Sequence, residues 1–469
     1  MRERKFRIAF TGAYDIANYG DHLFPPIFQK EMEQRGIPCE IFLFSLFETE
    51  EPFREGIRVY ALSQLEKMHL QKPFDAIVVG GGELIHYSSC QQLFNPSDTD
   101  YQTYNIYATW IVPSLVGLKY GIKILWNAPG GQYPFPEFYR FYTRYLTSSV
   151  NYLSVRNRST KEFLAECGIP DEEISLVPDT GFRVRSLYSE KELYECRERL
   201  LGFDAPYAVL HMNRHIKDED FDELINTAKF LRGKGLQVVC FPLAYTHNDM
   251  SMVRRVQTVF PEVRIVGVSE NQILSLQEMV SLLSGCSLYL GISFHGAVTA
   301  LAFGKRAVNF DYIGSVKTKD LYGSLGLEQF YVCRKEDLCN AVEAALEYSY
   351  PDCTDMVNEK ISGHFDRIAE ELRSLLNHTE NTGRNPVCQD SYFDFINSLT
   401  KYYMDSSYDI SVMTKRLEEK DEVMIRLYRE AEEAQQYIRK LEADLSAVSS
   451  PKPQPFIRRC LRKIRRLFR

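Results

Sequence analysis

The sequence contains no apolar run of about 18 residues or more, the length that a membrane-spanning helix needs. The apolar run that follows the charges of "MRERKFR" is short, and Gly12 and Asp15 interrupt it, which argues against a signal peptide. From these absences we expect a cytoplasmic protein that does not span a membrane.

Several chemical signatures are also missing. The eleven cysteines are dispersed from Cys39 to Cys460 and include no CxxC pair, which favours reduced thiols over a disulfide framework. No His/Cys cluster has zinc spacing, so no metal site is expected. The GxxxxGK[ST], GxSxG and HExxH motifs are absent as well. This excludes the P-loop, α/β-hydrolase and zincin signatures.

Acidic residues outnumber basic ones except at one end of the chain. The formal net charge is −7, yet the last fourteen residues, "FIRRCLRKIRRLFR", hold seven Arg or Lys and no acid. The rest of the chain is therefore more acidic than the whole. We expect no nucleic-acid partner for the body, and the tail needs its own explanation.

What is present in the first part is an alternation of short apolar runs with amphipathic segments, typical of βαβ units. The strand candidates end in glycine-containing turns and include "FRIAFTGA", "FDAIVVGGGELI" and "IKILWNAPGG". One helix is predicted from about Asp21 to Gly36. The pattern restarts at "YAVLHMNRH" and continues through "LQVVCFPLA" and "SLYLGIS". We therefore predict an α/β fold of two Rossmann-like domains facing a cleft, residues 1–185 and 186–345.

The strands stop near residue 345, and residues 346–407 read as a helical segment and a linker. Residues 408–449 then show a coiled-coil pattern, because eleven of twelve positions spaced alternately three and four apart are apolar. These positions are Ile410, Met413, Leu417, Lys420, Met424, Leu427, Ala431, Ala434, Ile438, Leu441, Leu445 and Val448. A homo-oligomer is expected from this seam, whereas a single helix packed on the body is the alternative.

Residues 450–469 begin with a proline-rich break, "SSPKPQP", and end in a basic amphipathic segment. Large apolar residues of 456–469 fall on one helical face and basic residues on the other, which favours binding to an anionic membrane surface. An RNA-binding tail or a disordered end are the alternatives. Peripheral attachment to the inner face of the cell membrane is the expectation.

Candidate ligand-binding residues follow the predicted strands, because ligands of open α/β sheets bind beyond the carboxyl ends of strands. In the first domain these are Asn18, Gly20 and Asp21 at a helix start, and the run Gly80, Gly81 and Gly82, which could cradle an anion. Glycine runs also occur in ordinary turns, so a purely structural role is equally compatible with them.

The second domain offers Arg214 after one strand and the turn Ser293-Phe294-His295-Gly296 after another. A histidine at a strand end is often structural. Here a helix begins directly after it, and a helix N-terminus favours the neutral imidazole that can accept a proton. An arginine directed at the same cleft would hold a phosphate or a carboxylate.

An ordered set of motifs resembles the polysaccharide pyruvyltransferase family over roughly residues 7 to 345. The motifs are "NYGDHL", "VVGGGELI", "SVRNRS", "VPDTGF", "LSLQEMVSLLSGCSLYLGISFHGAVTALAFGK" and "FDYIGSVKTKDLYGSLGL". The resemblance implies a GT-B-like architecture. It also implies transfer of a pyruvyl group from phosphoenolpyruvate to two hydroxyls of a sugar, forming a cyclic ketal, with phosphoenolpyruvate as co-substrate and no further cofactor.

The resemblance further implies roles for individual residues. His295 would be the general acid/base. Arg214 and one of Lys317 and Lys319 would bind the anionic donor, beside Ser293 and Gly296. Asn18, Gly20, Asp21 and Gly80 to Gly82 would line the acceptor side, where a glycan or a lipid-linked glycan binds.

The sequence departs from the family at Ser293, where many members carry an arginine. Serine cannot replace that charge, so Arg214 or the lysines must hold the phosphate, or the donor differs. Two alternatives therefore stand beside the pyruvyltransferase. One is a GT-B-type glycosyltransferase that uses a nucleotide sugar, and the other is a non-catalytic oligomeric scaffold.

Overall fold

The structure is a computed structural model that describes residues 4–50, 57–88, 90–92, 102–268, 273–348 and 354–377. The predicted coiled coil at 408–449 and the basic tail at 456–469 lie outside the described residues. The described chain contains two parallel sheets, one in each half.

The first sheet has seven strands in the order β3-β2-β1-β4-β7-β8-β9, and every neighbouring pair is parallel. Its strands are β1 (Phe6–Thr11), β2 (Cys39–Ser45), β3 (Val59–Ala61), β4 (Ala76–Val79), β7 (Lys123–Trp126), β8 (Val150–Val155) and β9 (Ile174–Leu176). A separate antiparallel pair joins β5 (Cys90–Gln92) to β6 (Gln102–Tyr104). All four residues of β4 are buried, as expected for a central strand covered on both faces.

The helices of the first half are α1 (Tyr19–His22), α2 (Phe24–Gln34), α3 (Leu65–Gln71), α4 (Ala108–Tyr120), α5 (Glu137–Thr147) and α6 (Arg158–Glu166). The next helix, α7 (Glu190–Leu201), belongs to the second half. The single helix predicted from Asp21 to Gly36 is two helices in the structure. Pro25 and Pro26 explain the division, because they start α2 in its first turn, where proline is tolerated.

The second sheet has six parallel strands in the order β12-β11-β10-β13-β14-β15. They are β10 (Tyr207–His211), β11 (Gln237–Cys240), β12 (Arg264–Ile265), β13 (Leu288–Gly291), β14 (Arg306–Phe310) and β15 (Tyr331–Val332). The accompanying helices are α8 (Asp218–Gly233), α9 (Asp249–Val259), α10 (Leu276–Ser284), α11 (Phe294–Ala302), α12 (Val316–Ser324), α13 (Leu338–Glu347) and α14 (Thr354–Asn377). The predicted pair of Rossmann-like halves is thus confirmed.

Helix α14 returns to the first half after the second sheet is complete. His364, at 2% exposure, contacts Tyr152 at 3.0 Å and Asn127 at 3.1 Å, both in or beside the first sheet. Lys123 of β7 also forms an ion pair with Glu371 at 2.8 Å. The end of the described chain therefore ties the two halves together.

A second connection lies at the centre of the molecule, where the segment after β1 crosses to the second half. The Tyr19 amide donates to the Leu243 carbonyl at 2.8 Å, and the Tyr245 amide donates to the Ala17 carbonyl at 2.9 Å. The Tyr19 and Thr299 hydroxyls are 2.7 Å apart. These bonds fix the start of α1 against α11, which carries His295.

Candidate active site

His295 lies in the first turn of α11, which follows the central strand β13 of the second sheet. Ser293 caps this helix by accepting a hydrogen bond from the Gly296 amide at 3.2 Å. Gly296 itself faces the ring of Tyr289 so closely that a Cβ there would lie 2.6 Å from the phenol. The sequence around the histidine therefore forms a well-defined helix start, with Ser293 as its cap.

The first half supplies the surface on which the imidazole of His295 rests. A Cβ added at Gly20 would overlap Nδ1 of His295, so only glycine allows this approach. The rings of Phe24 and Phe294 contact the imidazole edge-on, with centroids 5.5 Å and 5.0 Å away. Burial among these groups lowers the pKa of His295, which keeps the ring neutral at neutral pH.

An ion pair from the first half faces the other edge of the ring. Arg156 Nη1 lies 2.7 Å from Asp179 Oδ2, and both side chains are at most 3% exposed. His295 Nε2 lies 3.6 Å from the same carboxylate oxygen and 3.4 Å from the same guanidinium nitrogen. Burial alone would raise the pKa of Asp179, but the neighbouring His295 and Arg156 outweigh it and hold that pKa well below its usual range.

This arrangement brings a guanidinium to the histidine although Ser293 replaces the family's arginine in the turn. Arg156 also stacks over Phe294, with its Cζ 4.9 Å from the ring centroid. The cation comes from the loop after β8, in the other half of the molecule. Asp179 comes from the loop after β9, so two neighbouring strand ends provide the pair.

Lys317, at the start of α12, also meets a partner from the first half, because its Nζ forms an ion pair with Glu83. Glu83 directly follows the three glycines after β4. Burial would raise the pKa of Glu83, but the charge of Lys317 lowers it below its usual value. Lys317 also helps to lower the pKa of His295, so its charge acts on the histidine.

The three glycines pack against side chains of α1, α2 and the β1 loop. Gly80 faces Tyr14, Gly81 faces the ring of Phe24, and a Cβ at Gly82 would lie 2.7 Å from Asp21 Oδ1. Gly82 also has a φ of +100°, which other residues rarely adopt. In this structure the run thus lets the first-half loops approach one another closely, and its role toward an acceptor stays a prediction.

Asp21 is buried beside these glycines, with 7% of its surface exposed. Its Oδ2 accepts a hydrogen bond from Asn18 Nδ2 at 2.8 Å. Burial raises the pKa of Asp21 to about 7, although Arg156, Lys317 and Asn18 oppose the shift. A carboxyl group that titrates near neutral pH therefore lies one residue from the glycine that supports His295.

Arg214 lies in the loop after β10, and its Nε donates to His215 Nε2 at 3.0 Å. Burial lowers the pKa of His247 to about 4, and Arg214 and Lys317 both add to that shift. Arg214 and Lys317, two of the predicted donor ligands, therefore both lower the pKa of this histidine in the second half. Their roles in binding a donor stay predictions.

A cavity of about 440 Å³ lies beside the Arg156–Asp179 pair, between the first half and α12. Five basic side chains line it: Arg156, Arg158, Lys317, Lys319 and Lys360. Three acidic ones do so as well: Asp179, Asp320 and Glu328. The lining is thus net basic in an acidic protein, which favours an anionic ligand.

Arg156, Asp179 and Glu83 are the functional candidates that residue-by-residue reasoning missed. All three lie in quoted family motifs, "SVRNRS", "VPDTGF" and "VVGGGELI", and each follows a strand end. A charged residue within four positions of a strand end was the available signal. Their convergence on His295 and Lys317 depends on the packing of the two halves, which no local pattern contains.

Within the described ranges, no helix is both long enough and apolar enough to cross a bilayer. The same residues include no group of three or more His, Cys, Asp or Glu side chains arranged to hold a metal ion.

The two sheets and the loops at their paired strand ends form a GT-B-like architecture. Residues 18–314 match the family model described as polysaccharide pyruvyl transferase, which is well over half of the chain. The chain belongs to the polysaccharide pyruvyl transferase family. No match is found among curated proteins.

Solved structures with the same architecture include UDP-GlcNAc 2-epimerases. The enzyme of Methanocaldococcus jannaschii is 14% identical, with a TM-score of 0.51, covering 78% of this chain and 100% of that one. That of Rickettsia bellii is 12% identical, with a TM-score of 0.51 and coverage of 80% and 99%. That of Neisseria meningitidis is 13% identical, with a TM-score of 0.50 and coverage of 79% and 100%. At these identities the likeness concerns the fold.

Proposed function

We propose that this protein transfers the pyruvyl group of phosphoenolpyruvate to two hydroxyls of a glycan, with His295 as the proton-transfer group. The observation that carries the proposal is the largely buried imidazole held between Gly20 and the Arg156–Asp179 pair, where burial lowers its pKa. A neutral imidazole accepts a proton from a hydroxyl and can return it to carbon. Family membership supports the same reaction.

The donor is a small polyanion, and the inner end of the cavity offers it two cations. Arg156 uses Nη1 for Asp179, which leaves other N–H groups for a carboxylate or a phosphate. Lys317 is 28% exposed beside its partner Glu83 and has three donors. We place the phosphoenolpyruvate between these two cations, next to His295.

The reaction then proceeds as follows. One sugar hydroxyl attacks C2 of phosphoenolpyruvate, His295 takes its proton, and the same proton is delivered to C3, which becomes the methyl group. The second hydroxyl forms the other C2–O bond while the bond from C2 to the phosphate oxygen breaks. Phosphate leaves with that electron pair, and the second hydroxyl's proton leaves with it. The cation of Arg156 stabilises the charge that develops on the donor.

The test is ligand binding followed by transfer. Phosphoenolpyruvate should raise the melting temperature of the full chain, because a ligand that binds the native state stabilises it. Phosphate release with a glycan acceptor, followed by ³¹P NMR, should be lost in His295→Asn and retained in the control His69→Asn, a histidine of α3. Unchanged phosphate release in His295→Asn would exclude the proposed role.

A nucleotide-sugar glycosyltransferase is the second candidate, favoured by the fold it shares with proteins that bind UDP-GlcNAc. In that case UDP-GlcNAc or another nucleotide sugar would raise the melting temperature and phosphoenolpyruvate would not. A scaffold without activity would bind neither donor. The same thermal measurement therefore separates the three functions.

The C-terminal region extends the proposal to where the enzyme works. The apolar seam of 408–449 would join copies of the chain, and each copy would present one basic amphipathic segment at 456–469 to an anionic membrane. Two such segments on one oligomer bind with avidity that a single short segment lacks. The enzyme would then be held near a membrane-linked glycan acceptor.

A further inference from the structure

The turn that leads to His295 is a two-residue connection, Ile292 and Ser293, between β13 and α11. Backbone amides and carbonyls outside the sheet and helix ladders need other partners when they lie in the protein interior. The Ser293 carbonyl accepts the first bond of α11, from the Ala297 amide at 3.2 Å. The Ser293 amide precedes the helix and takes no part in its bonds. Another group must therefore hold this amide.

The side chain of Tyr289, in β13, supplies that group and is fully buried. Its hydroxyl accepts a hydrogen bond from the Ser293 amide at 3.0 Å and donates one to the Ser293 carbonyl at 3.1 Å. Burial raises the pKa of Tyr289 well above its usual range, so the hydroxyl keeps the proton that it donates. One phenol thus holds both polar backbone groups of the residue that caps α11.

Two glycines make room for this phenol on either side of the turn. A Cβ at Gly291 would lie 2.7 Å from the Tyr289 hydroxyl, and a Cβ at Gly296 would lie 2.6 Å from it. Gly296 directly follows His295, and its amide is the one that Ser293 caps. The phenol therefore contacts the chain before and after His295, so a change at the phenol reaches the imidazole from both sides.

The neighbouring strand β14 adds a second support at the same carbonyl. Asn309 is fully buried, and its Nδ2 donates to the Ser293 carbonyl at 3.3 Å. Asn309 pairs with Gly291 in the parallel register of the two strands. The longer distance makes this the weaker of the two side-chain bonds. Two buried polar side chains of the second sheet are thus used to fix one peptide at the end of β13.

We propose that Tyr289 is a positioning residue of the transfer reaction, whose hydroxyl fixes the Ser293 peptide and thereby the place of the His295 imidazole. The proposal deepens the proposed function and rests on it. The cations assigned to the donor, Arg156 and Lys317, belong to other elements. Loss of the Tyr289 hydroxyl should therefore slow proton transfer and leave donor binding intact.

Tyr289→Phe in the full chain tests this, because it removes the hydroxyl and keeps the ring between the two glycines. The kcat of phosphate release with a glycan acceptor should fall at least about tenfold, since a displacement of about 1 Å can cost about 100-fold in rate. The affinity for phosphoenolpyruvate, from isothermal titration, should stay within about twofold. Asn309→Leu removes the weaker donor and should lower kcat in the same direction by a smaller factor.

Tyr207→Phe is the matched control. Tyr207 is also buried in the second sheet, and its hydroxyl donates to the Leu282 carbonyl at 2.7 Å. It begins β10 and so lies at the amino end of the sheet, away from the site. Both variants lose one buried hydroxyl bond and should lower the melting temperature by similar amounts. Only Tyr289→Phe should lower kcat.

The titration of His295 gives a readout that does not depend on transfer. Histidine labelled with ¹³C at Cε1 gives one NMR signal for each of the nine histidines, and His295→Asn identifies the signal of His295. Its titration midpoint should move in Tyr289→Phe, because the ring shifts relative to Asp179 and Arg156. The midpoint should stay at the wild-type value in Tyr207→Phe.

Equal kcat in the two phenylalanine variants, or an unchanged His295 titration in Tyr289→Phe, would overturn the role of Tyr289. A fall in kcat/KM explained wholly by weaker phosphoenolpyruvate binding would do the same. If the wild type releases no phosphate, the proposed reaction is wrong, and the His295 titration still decides the positioning role. If Tyr289→Phe does not fold, Asn309→Leu carries both measurements in its place.

Discussion

The imidazole of His295 lies directly against the backbone of Gly20, although 274 residues separate them in the chain and each comes from a different half. This contact makes the "NYGDHL" motif and the "SFHG" turn parts of one site. The hydrogen bonds between Tyr19 and Leu243 and between Tyr19 and Thr299 hold the contact in place. The geometry of the histidine is thus set jointly by the two halves.

Gly20→Ala should therefore impair catalysis and also destabilise the fold by about 1–3 kcal/mol, as overpacking of a buried site does. The added methyl would overlap Nδ1 of His295 and displace the ring, and a displacement of about 1 Å can cost about 100-fold in rate. Transfer rate and melting temperature should be measured together. Gly233→Ala is the matched control, because a Cβ there meets nothing within 4 Å. Full activity in Gly20→Ala would show that the ring's position does not matter.

Sequence patterns predicted the two parallel sheets because buried strands and strand-end glycines leave a local signature in the chain. They also predicted the helix start at His295, where Ser293 provides the cap. The division of the first helix at Pro25 was open to local reasoning as well. These features depend on neighbours in sequence.

The partners of His295 could not be predicted from local patterns. Asp179 and Arg156 lie in quoted motifs, but their contact with His295 depends on how the halves pack. The same is true of Glu83 and Lys317. Gly80 to Gly82 are a case in which a local pattern was present but its role differs. Such a glycine run is typical of an anion cradle, whereas in the structure it packs against Tyr14, Phe24 and Asp21.

Asp179→Asn should destabilise the fold, because it leaves the guanidinium of Arg156 buried without a counter-charge. Breaking such a buried pair costs about 3–5 kcal/mol. The pKa of Asp179 lies below its usual range, so its ionised form contributes stability above the unfolded-state pKa, and that contribution is lost as the pH falls through the folded value. In urea unfolding, the gap between wild type and variant should be constant near neutral pH and should narrow in acid.

The same variant should change the pH dependence of transfer. Asp179 raises the pKa of His295 and so opposes the effect of burial. Without it, the imidazole should titrate at lower pH, and the acid limb of kcat/KM should move in that direction. A limb that stays in place would mean that Asp179 acts only on stability. Asp320→Asn, in the same cavity but away from the histidine, is the control.

Asp21 should leave its own signature in the pH dependence of stability. Its pKa is about 7 in the folded protein and 3.8 ordinarily, so the native state binds the extra proton between those values. Stability should therefore fall as the pH rises through this window, by up to about 1.4 kcal/mol per pH unit. Asp21→Asn lacks this loss, so its stability relative to the wild type should rise from pH 4 to 7 and then level off. A flat difference across that range would contradict the shift.

Deletion of 456–469 should release the protein from anionic membranes. On such a membrane the seven basic residues of this segment would supply electrostatic attraction at about 1 kcal/mol each, and its large apolar residues would supply insertion. Flotation with vesicles containing phosphatidylserine should retain the full chain and lose the deletion variant. Vesicles of phosphatidylcholine alone, or high salt, should weaken binding of the full chain, because both remove the electrostatic part of the attraction.

Equal flotation of the full chain and the deletion variant would place membrane binding elsewhere in the chain. Replacement of Phe456, Ile457, Leu461 and Ile464 by Ser keeps the charge, so retained binding in that variant would reduce the tail to a purely electrostatic contact.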